Sequence, residues 1–111
     1  MPTKLLLIGV LEVILDARIG TGVTDTFALP TRSTQLAWQT SFDINPAAVD
    51  IDIDVSLDGN VWTTLDTSTA VGGEVRTITN ATAALFIRGF VNTNTGDREV
   101  TISLIAKVAV P

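Results

Sequence analysis

The chain has 111 residues, of which 46% are hydrophobic, and it carries a net charge of −5. This length gives one domain with a modest single core. Nucleic acid and anionic membrane surfaces are not expected as partners, because both require clustered Lys and Arg and the seven basic residues here are scattered.

Three residue types that carry much of protein chemistry are missing, namely cysteine, histidine and tyrosine. Without cysteine there is no disulfide framework and no thiolate metal site. Without histidine the usual general base and the commonest transition-metal ligand are lost. We therefore expect a non-enzymatic protein without a cofactor, and only carboxylate chemistry or a hard cation stays open.

The N-terminal region is apolar and resembles a signal peptide at first sight. Glu12 and Asp16 interrupt the apolar run, no small-residue cleavage site follows, and a membrane-spanning helix needs about 20 apolar residues. We expect neither a signal peptide nor a transmembrane segment. Residues 1–20 are predicted to form one or two buried strands or an apolar arm.

Apolar and polar residues alternate through most of the chain, as they do in strands with one buried face. Val, Ile and Thr, whose β-branched side chains favour strands, account for 39 residues. Eight strands are predicted, at residues 11–18, 23–29, 36–43, 49–57, 61–65, 74–79, 84–91 and 99–108. Because turn signals separate them and no amphipathic helix is evident, the fold class is all-β: a single antiparallel β-sandwich or jelly-roll-like domain over residues 1–111.

Side-chain directions follow from this alternation. Four residues are predicted to share one face of the first strand: Leu11, Val13, Leu15 and Ala17. Trp38 lies in register with Leu36 and Phe42 and is predicted to point inward. Trp62 follows a turn and is predicted to pack in the core across its own hairpin, so a sugar-binding platform of tryptophans is not favoured.

The stretch VDIDIDVSLDGNVW, residues 49–62, places three aspartates on one strand face: Asp50, Asp52 and Asp54. Alternate side chains of a strand lie about 7 Å apart, where two charges in water repel by roughly 0.6 kcal/mol. The spacing therefore favours a solvent-facing row, with a basic partner or a cation as the alternatives. A covered row would require a cation or arginines.

A calcium site is the functional alternative for this row. Calcium needs six to eight converging oxygens, and a straight strand spreads its carboxylates too widely. Val55 also stands where an EF-hand loop requires glycine. No metal is expected, and Asp58 and Asn60 at the following turn are the weak candidates if a cation does bind.

Phe86, Arg88 and Phe90 share one face of a later strand. Aromatic residues and Arg are enriched at interface cores, so this face is a candidate protein interface. Alternatively, the three residues form a second buried layer in which Arg88 reaches a carboxylate of the acidic row. The sequence favours neither.

The segments VSLDGNVWTTL (residues 55–65) and ATAALFIRGFV (residues 81–91) resemble a pattern in small β-sandwich proteins of tailed-phage virions, and a similar stretch occurs in discoidin-like modules. The matching residues are Ser56, Asp58, Gly59, Trp62 and Arg88. The chain is short for a discoidin-like module and lacks the cysteines of that family, which favours the phage type.

This resemblance implies a virion structural protein, assembled in the bacterial cytoplasm, most simply a capsid decoration (cement) protein. Its expected partners are the major capsid protein or other virion proteins, and it is expected to form a homo-oligomer, with a trimer favoured. The interface candidates are Leu5, Leu6, Leu7, Ile8, Phe86, Arg88 and Phe90, and the apolar N-terminal segment is a candidate for strand addition to a neighbour. A head-tail or tail accessory protein and a carbohydrate- or receptor-binding module are the alternatives.

Overall fold

The structure is a computed structural model that describes residues 3–30, 35–79 and 84–107. These residues form ten strands and no helix. The strands are β1 (Lys4–Leu5), β2 (Glu12–Ile19), β3 (Gly22–Val23), β4 (Phe27–Ala28), β5 (Gln35–Phe42), β6 (Val49–Ser56), β7 (Thr63–Ser68), β8 (Glu74–Thr79), β9 (Phe86–Asn94) and β10 (Glu99–Lys107).

Two sheets pack against each other. Sheet A has the strand order β1-β4-β9-β6-β7, with β3 also paired to β9, and sheet B has the order β2-β10-β5-β8. Strand pairing is antiparallel except between β1 and β4 and at the Ile8–Ala106 bridge. The all-β sandwich is confirmed. It has more than eight strands because residues 4–5 form β1 and the predicted strand 23–29 divides into β3 and β4.

The core lies between the sheets and is built from the inward positions of the longer strands. Ile51 and Ile53 of β6 are fully buried, and Leu36 and Trp38 of β5 are nearly so. Each such aliphatic side chain contributes about 1.5–3 kcal/mol on burial. The predicted inward direction of Trp38 is confirmed. The predicted end of the last strand, Val108, lies outside the described residues.

Strand β2 departs from the predicted alternation. Leu11 and Val13 are exposed, whereas the consecutive residues Ile14 and Leu15 are both buried. The pairing of β2 with β10 shifts register twice, between Arg18 and Leu15 and between Leu15 and Val13. A bulge adds one residue to a strand and so reverses the side-chain alternation beyond it, which is why the prediction of one face for Leu11, Val13, Leu15 and Ala17 is wrong.

The N-terminal segment closes one side of the sandwich. Lys4 and Leu5 pair with β4 of sheet A, Leu6 is buried in the core, and Ile8 bridges Ala106 of sheet B. The backbone of this segment is thus paired within its own chain, and β1 is the edge strand of sheet A, so its addition to a neighbour's sheet stays a prediction. No helix in the described part of the chain is long and apolar enough to cross a membrane.

Polar side chains close the opposite side, where the edge strands β7 and β8 meet. The Asp66 carboxylate of sheet A accepts a hydrogen bond from the Trp38 indole N–H of sheet B at 2.8 Å. Arg76 donates to both oxygens of Asp66, at 2.8 and 3.0 Å. A second contact, from Ser68 Oγ to Glu74 at 2.8 Å, lies beside it.

Candidate functional site: the two outer faces of the sandwich

The outer face of sheet A carries the acidic row. Strand β6 lies between β7 and β9, so the side chains of those two strands flank the aspartates on both sides. Asp52 pairs in register with Thr67 and Phe90, and Asp54 pairs with Thr64 and Arg88. This central placement partly covers the row.

Asp54 is the most deeply covered acid, with 4% of its surface exposed. Arg88 Nε lies 3.4 Å from one carboxylate oxygen, and the Thr64 hydroxyl donates to the other at 3.2 Å. The prediction of a solvent-facing row is therefore wrong for Asp54. The alternative in which Arg88 reaches a carboxylate of the row is the observed arrangement, because a covered carboxylate needs a counter-charge.

Asp52 and Asp50 continue the row away from Arg88. Asp52 accepts hydrogen bonds from the Thr67 hydroxyl, at 2.7 Å, and from the Asn92 amide. Burial, the charge of Asp52 and a hydrogen bond to Asp52 raise the pKa of Asp50. One oxygen of Asp50 is buried without a hydrogen-bond partner among the described residues. The negative charge of Asp54 is thus paired with Arg88, whereas burial and the charge of Asp52 disfavour the ionised form of Asp50.

The turn after β6 is held by its own side chains. Asp58 Oδ1 accepts from the backbone N–H groups of Asn60 and Val61, at 2.8 and 2.9 Å, and Ser56 Oγ accepts from that of Gly59 at 2.9 Å. Gly59 has a φ of +81°, a conformation that favours glycine. The hydrogen bonds from Val61, Asn60 and Ser56 lower the pKa of Asp58. Asp58 is thus a turn anchor, and the described residues contain no cluster of three or more acids, His or Cys that could hold a metal.

Trp62 does not lie in the core, contrary to the prediction from the sequence. Its ring is half-buried on the outer face of sheet A, and the Arg88 guanidinium stacks over it at 4.2 Å from the ring centroid. Phe86 and Phe90 are half-buried on the same face. Because Arg88 covers one face of the indole, that face is not free to stack on a sugar.

The N-terminal interface candidates are divided by the fold. Leu5, Leu7 and Ile8 are exposed, whereas Leu6 is 3% exposed and belongs to the core. A side chain buried within its own domain cannot contact a partner. Leu6 therefore has a structural role, and only its three neighbours present apolar surface.

The outer face of sheet B lies on the other side of the sandwich from the acidic row and differs from it in charge. The sequence analysis did not identify this face. On strands β5, β8 and β10 the outward positions alternate with inward ones, and nine of the outward residues are uncharged. They are Gln35, Ala37, Gln39, Ser41, Val75, Thr77, Thr101, Ser103 and Ile105. The signal was present in the alternation, but only the strand order shows that these positions adjoin.

A shallow depression of about 100 Å³ lies in this face, lined by Leu11, Ala37, Gln39, Val75, Ser103 and Ile105. Val75 is 66% exposed and Val13 of the neighbouring strand β2 is 49% exposed. The charged outward positions on the three strands are Glu99 and Lys107, at the two ends of β10. Interface cores are depleted in charged residues, so this face has the composition of a contact surface.

The two-layer antiparallel sandwich defines the class of this protein, and solved structures share it. The fold is similar to that of the SPBc2 prophage-derived protein YomS, with a TM-score of 0.64 and 10% sequence identity over 92% of this chain and 99% of YomS. It is also similar to the PBSX exported protein XepA, with a TM-score of 0.64 and 16% identity over 93% of this chain and 38% of XepA. At these identities the likeness establishes the fold alone.

A weaker likeness is to the CBM32-1 module of a family 31 glycoside hydrolase from Clostridium perfringens. Its TM-score is 0.49, and the identity is 15% over 82% of this chain and 72% of that module. A likeness at this TM-score does not support a conclusion about function. No protein-family model matches the sequence, and no curated protein matches it.

Proposed function

We propose that this chain is a non-enzymatic structural protein of a phage particle, and specifically a capsid decoration (cement) protein that binds and stabilises the capsid lattice. The observation that carries the proposal is the fold likeness to YomS, a prophage-derived protein, which extends over 92% of this chain and 99% of YomS. The resemblance of the turn and strand motifs to small virion β-sandwich proteins supports the same conclusion.

A binding role without catalysis fits the ion pairs and hydrogen bonds that the carboxylates make. Asp54 and Asp66 are paired with arginines, Asp52 with hydroxyl and amide donors, and Asp58 with the backbone of its own turn. A general acid or base must exchange protons with a substrate in a pocket, whereas these groups hold strands and turns together. We therefore expect a sandwich of this kind to act by binding a partner.

The proposed partners are the major capsid protein or other virion proteins, and the proposed location is the virion. Exposed apolar side chains supply contact area on the N-terminal side, at Leu5, Leu7 and Ile8. A head-tail or tail accessory protein is the alternative within the same class, since it would use the same kind of contact.

The experiment that tests this proposal uses phage particles produced by a host that carries the gene with a short epitope tag. Purified particles are examined by mass spectrometry and by immunogold electron microscopy. We expect label distributed over the head and early release of DNA on heating of particles that lack the chain. Label confined to the tail would favour the accessory role, and absence of the chain from washed particles would overturn the virion proposal.

A further inference from the structure

We propose that the outer face of sheet B is the contact surface for a second copy of this chain, in a two-fold symmetric dimer in place of the trimer that the resemblance favours. The inference rests on the placement of charge in the fold and does not depend on the proposed function. A surface that binds its own copy must be complementary to itself, so any unpaired charge at its centre would repel the same charge on the partner.

The centre of this face meets that requirement. Register pairs Val13 with Ser103, Ser103 with Gln39, and Gln39 with Val75, so these four residues form one row across all four strands of sheet B. All four are uncharged. On a two-fold axis along this row each residue would meet its own copy, and valine, serine and glutamine are each compatible with that, since an amide both donates and accepts hydrogen bonds.

The ends of the face supply charge complementarity. Along β10 the outward positions run from Glu99 through Ser103 at the middle to Lys107, and the two charged ends lie roughly 27 Å apart. A two-fold axis through Ser103, perpendicular to β10 and parallel to the sheet, places Glu99 of each copy opposite Lys107 of the other. Neither side chain has an ion-pair partner among the described residues.

The distribution of the remaining charge also favours contact through sheet B. The chain carries a net charge of −5, so two copies repel wherever acidic surfaces meet. The acidic row of Asp50, Asp52 and Asp54 lies on sheet A, on the opposite side of the sandwich. Stacking through sheet B keeps those rows at the greatest distance, with both sandwiches between them.

The size of the molecule is compatible with a stable interface. The molecule measures 41 × 30 × 20 Å along its principal axes. The outline of the molecule along its two longer axes thus exceeds the roughly 800 Å² per partner of a standard stable interface. Aligned packing of two sheets face to face is a common arrangement in β-sandwiches, and the dimer would repeat it between chains.

The test is the solution mass of the full chain, measured by sedimentation velocity and light scattering from about 10 µM to about 1 mM. The chain mass is 11.7 kDa, and we expect a concentration-dependent shift to twice that value. Val75→Glu places two carboxylates together on the axis and is expected to weaken dimerisation at least about tenfold. Val61→Glu is the matched control, because Val61 is 72% exposed on the turn after β6 and the variant has the same net charge.

A charge exchange tests the proposed axis without altering the central row. Glu99→Lys alone or Lys107→Glu alone places like charges opposite each other and is expected to weaken the dimer about tenfold, whereas the double variant is expected to restore it. A chain that stays monomeric at the highest concentration, a trimer, a dimer insensitive to Val75→Glu, or a double variant as weak as the single ones would each overturn the proposal. A dimeric chain that is absent from particles would overturn the proposed function alone.

Discussion

The indole N–H of Trp38 in sheet B donates a hydrogen bond to the carboxylate of Asp66 in sheet A, at 2.8 Å. Trp38 is 1% exposed, and a buried indole N–H needs an acceptor. Arg76 neutralises the same carboxylate through two hydrogen bonds. Asp66 thus joins the two sheets at the edge where β7 and β8 meet, and it satisfies the polar atom of the largest core side chain.

The first prediction concerns the strength of this link. Asp66→Asn removes the charge that pairs with Arg76, and we expect the free energy of unfolding to fall by about 2 kcal/mol, the typical loss for a charged hydrogen bond in a partly buried site. Urea unfolding measures this change. Asp97→Asn in the exposed turn after β9 is the matched control and should change stability by less than about 0.5 kcal/mol. Equal effects of the two variants would contradict the role of Asp66.

The second prediction concerns the pH dependence of the same link. Burial alone would raise the pKa of Asp66, but hydrogen bonds from Arg76 and Trp38 outweigh burial and hold that pKa below its usual value of 3.8. A lowered pKa means that the ionised group stabilises the fold above about pH 4, and that this contribution is lost as the pH falls further. The stability difference between the wild type and Asp66→Asn should therefore be constant from pH 5 to 7 and shrink toward about pH 2. A difference that persists undiminished at the acid end would rule out the ionic contribution.

The third prediction has the opposite sign. Burial and the neighbouring charge of Asp52 raise the pKa of Asp50, so the ionised form of Asp50 is destabilising at neutral pH. Asp50→Asn should increase the free energy of unfolding at pH 7 by about 0.5 kcal/mol, and the gain should vanish below about pH 4, where the wild-type carboxyl is protonated. Thermal unfolding at the two pH values measures it. Asp16→Asn, in an exposed part of β2, is the control and should give no such gain.

The fourth prediction concerns the pair formed by Arg88 and Asp54. Arg88→Met leaves the Asp54 carboxylate covered without a counter-charge, and we expect a loss of about 3 kcal/mol. Combining it with Asp54→Asn should recover at least half of that loss, because the uncompensated charge is gone. Chemical unfolding of the four chains of this cycle measures the coupling. Additive losses would show that the pair is not coupled.

Arg88 also provides a local optical signal. Its guanidinium stacks on the Trp62 ring, whereas Trp38 is buried among core residues. Arg88→Met should therefore change the exposure of Trp62 to a soluble quencher while the signal of Trp38 stays protected. This measurement distinguishes loss of the stacked pair from general unfolding.

The fifth prediction concerns the turn between β7 and β8. Gly73 has a φ of +78°, and a Cβ there would lie 2.5 Å from the Thr40 carbonyl oxygen. Gly73→Ala should destabilise the fold by about 2 kcal/mol or more, since both strain and a backbone clash oppose it. Gly72→Ala is the matched control, because nothing lies within 4 Å of a Cβ at that position. Comparable stability of the two variants, measured by thermal unfolding, would contradict this account of the turn.

The sequence by itself determined the all-β class, most strand positions and the inward direction of Trp38. These features follow from period-2 alternation, a local property of each strand. The row of aspartates and the turn at Asp58-Gly59 were likewise visible as patterns.

Only the tertiary structure decided which neighbours those residues meet. Strand order brings Arg88 beside Asp54, so this member of the acidic row is covered rather than solvated, and a bulge in β2 reverses the direction of Val13. The Trp38–Asp66 link and the largely uncharged outer surface of β5, β8 and β10 depend on strands that are distant in the chain. Alternation fixes the face on which a side chain lies, whereas its electrostatic surroundings depend on which strands pair, and that is a property of the whole fold.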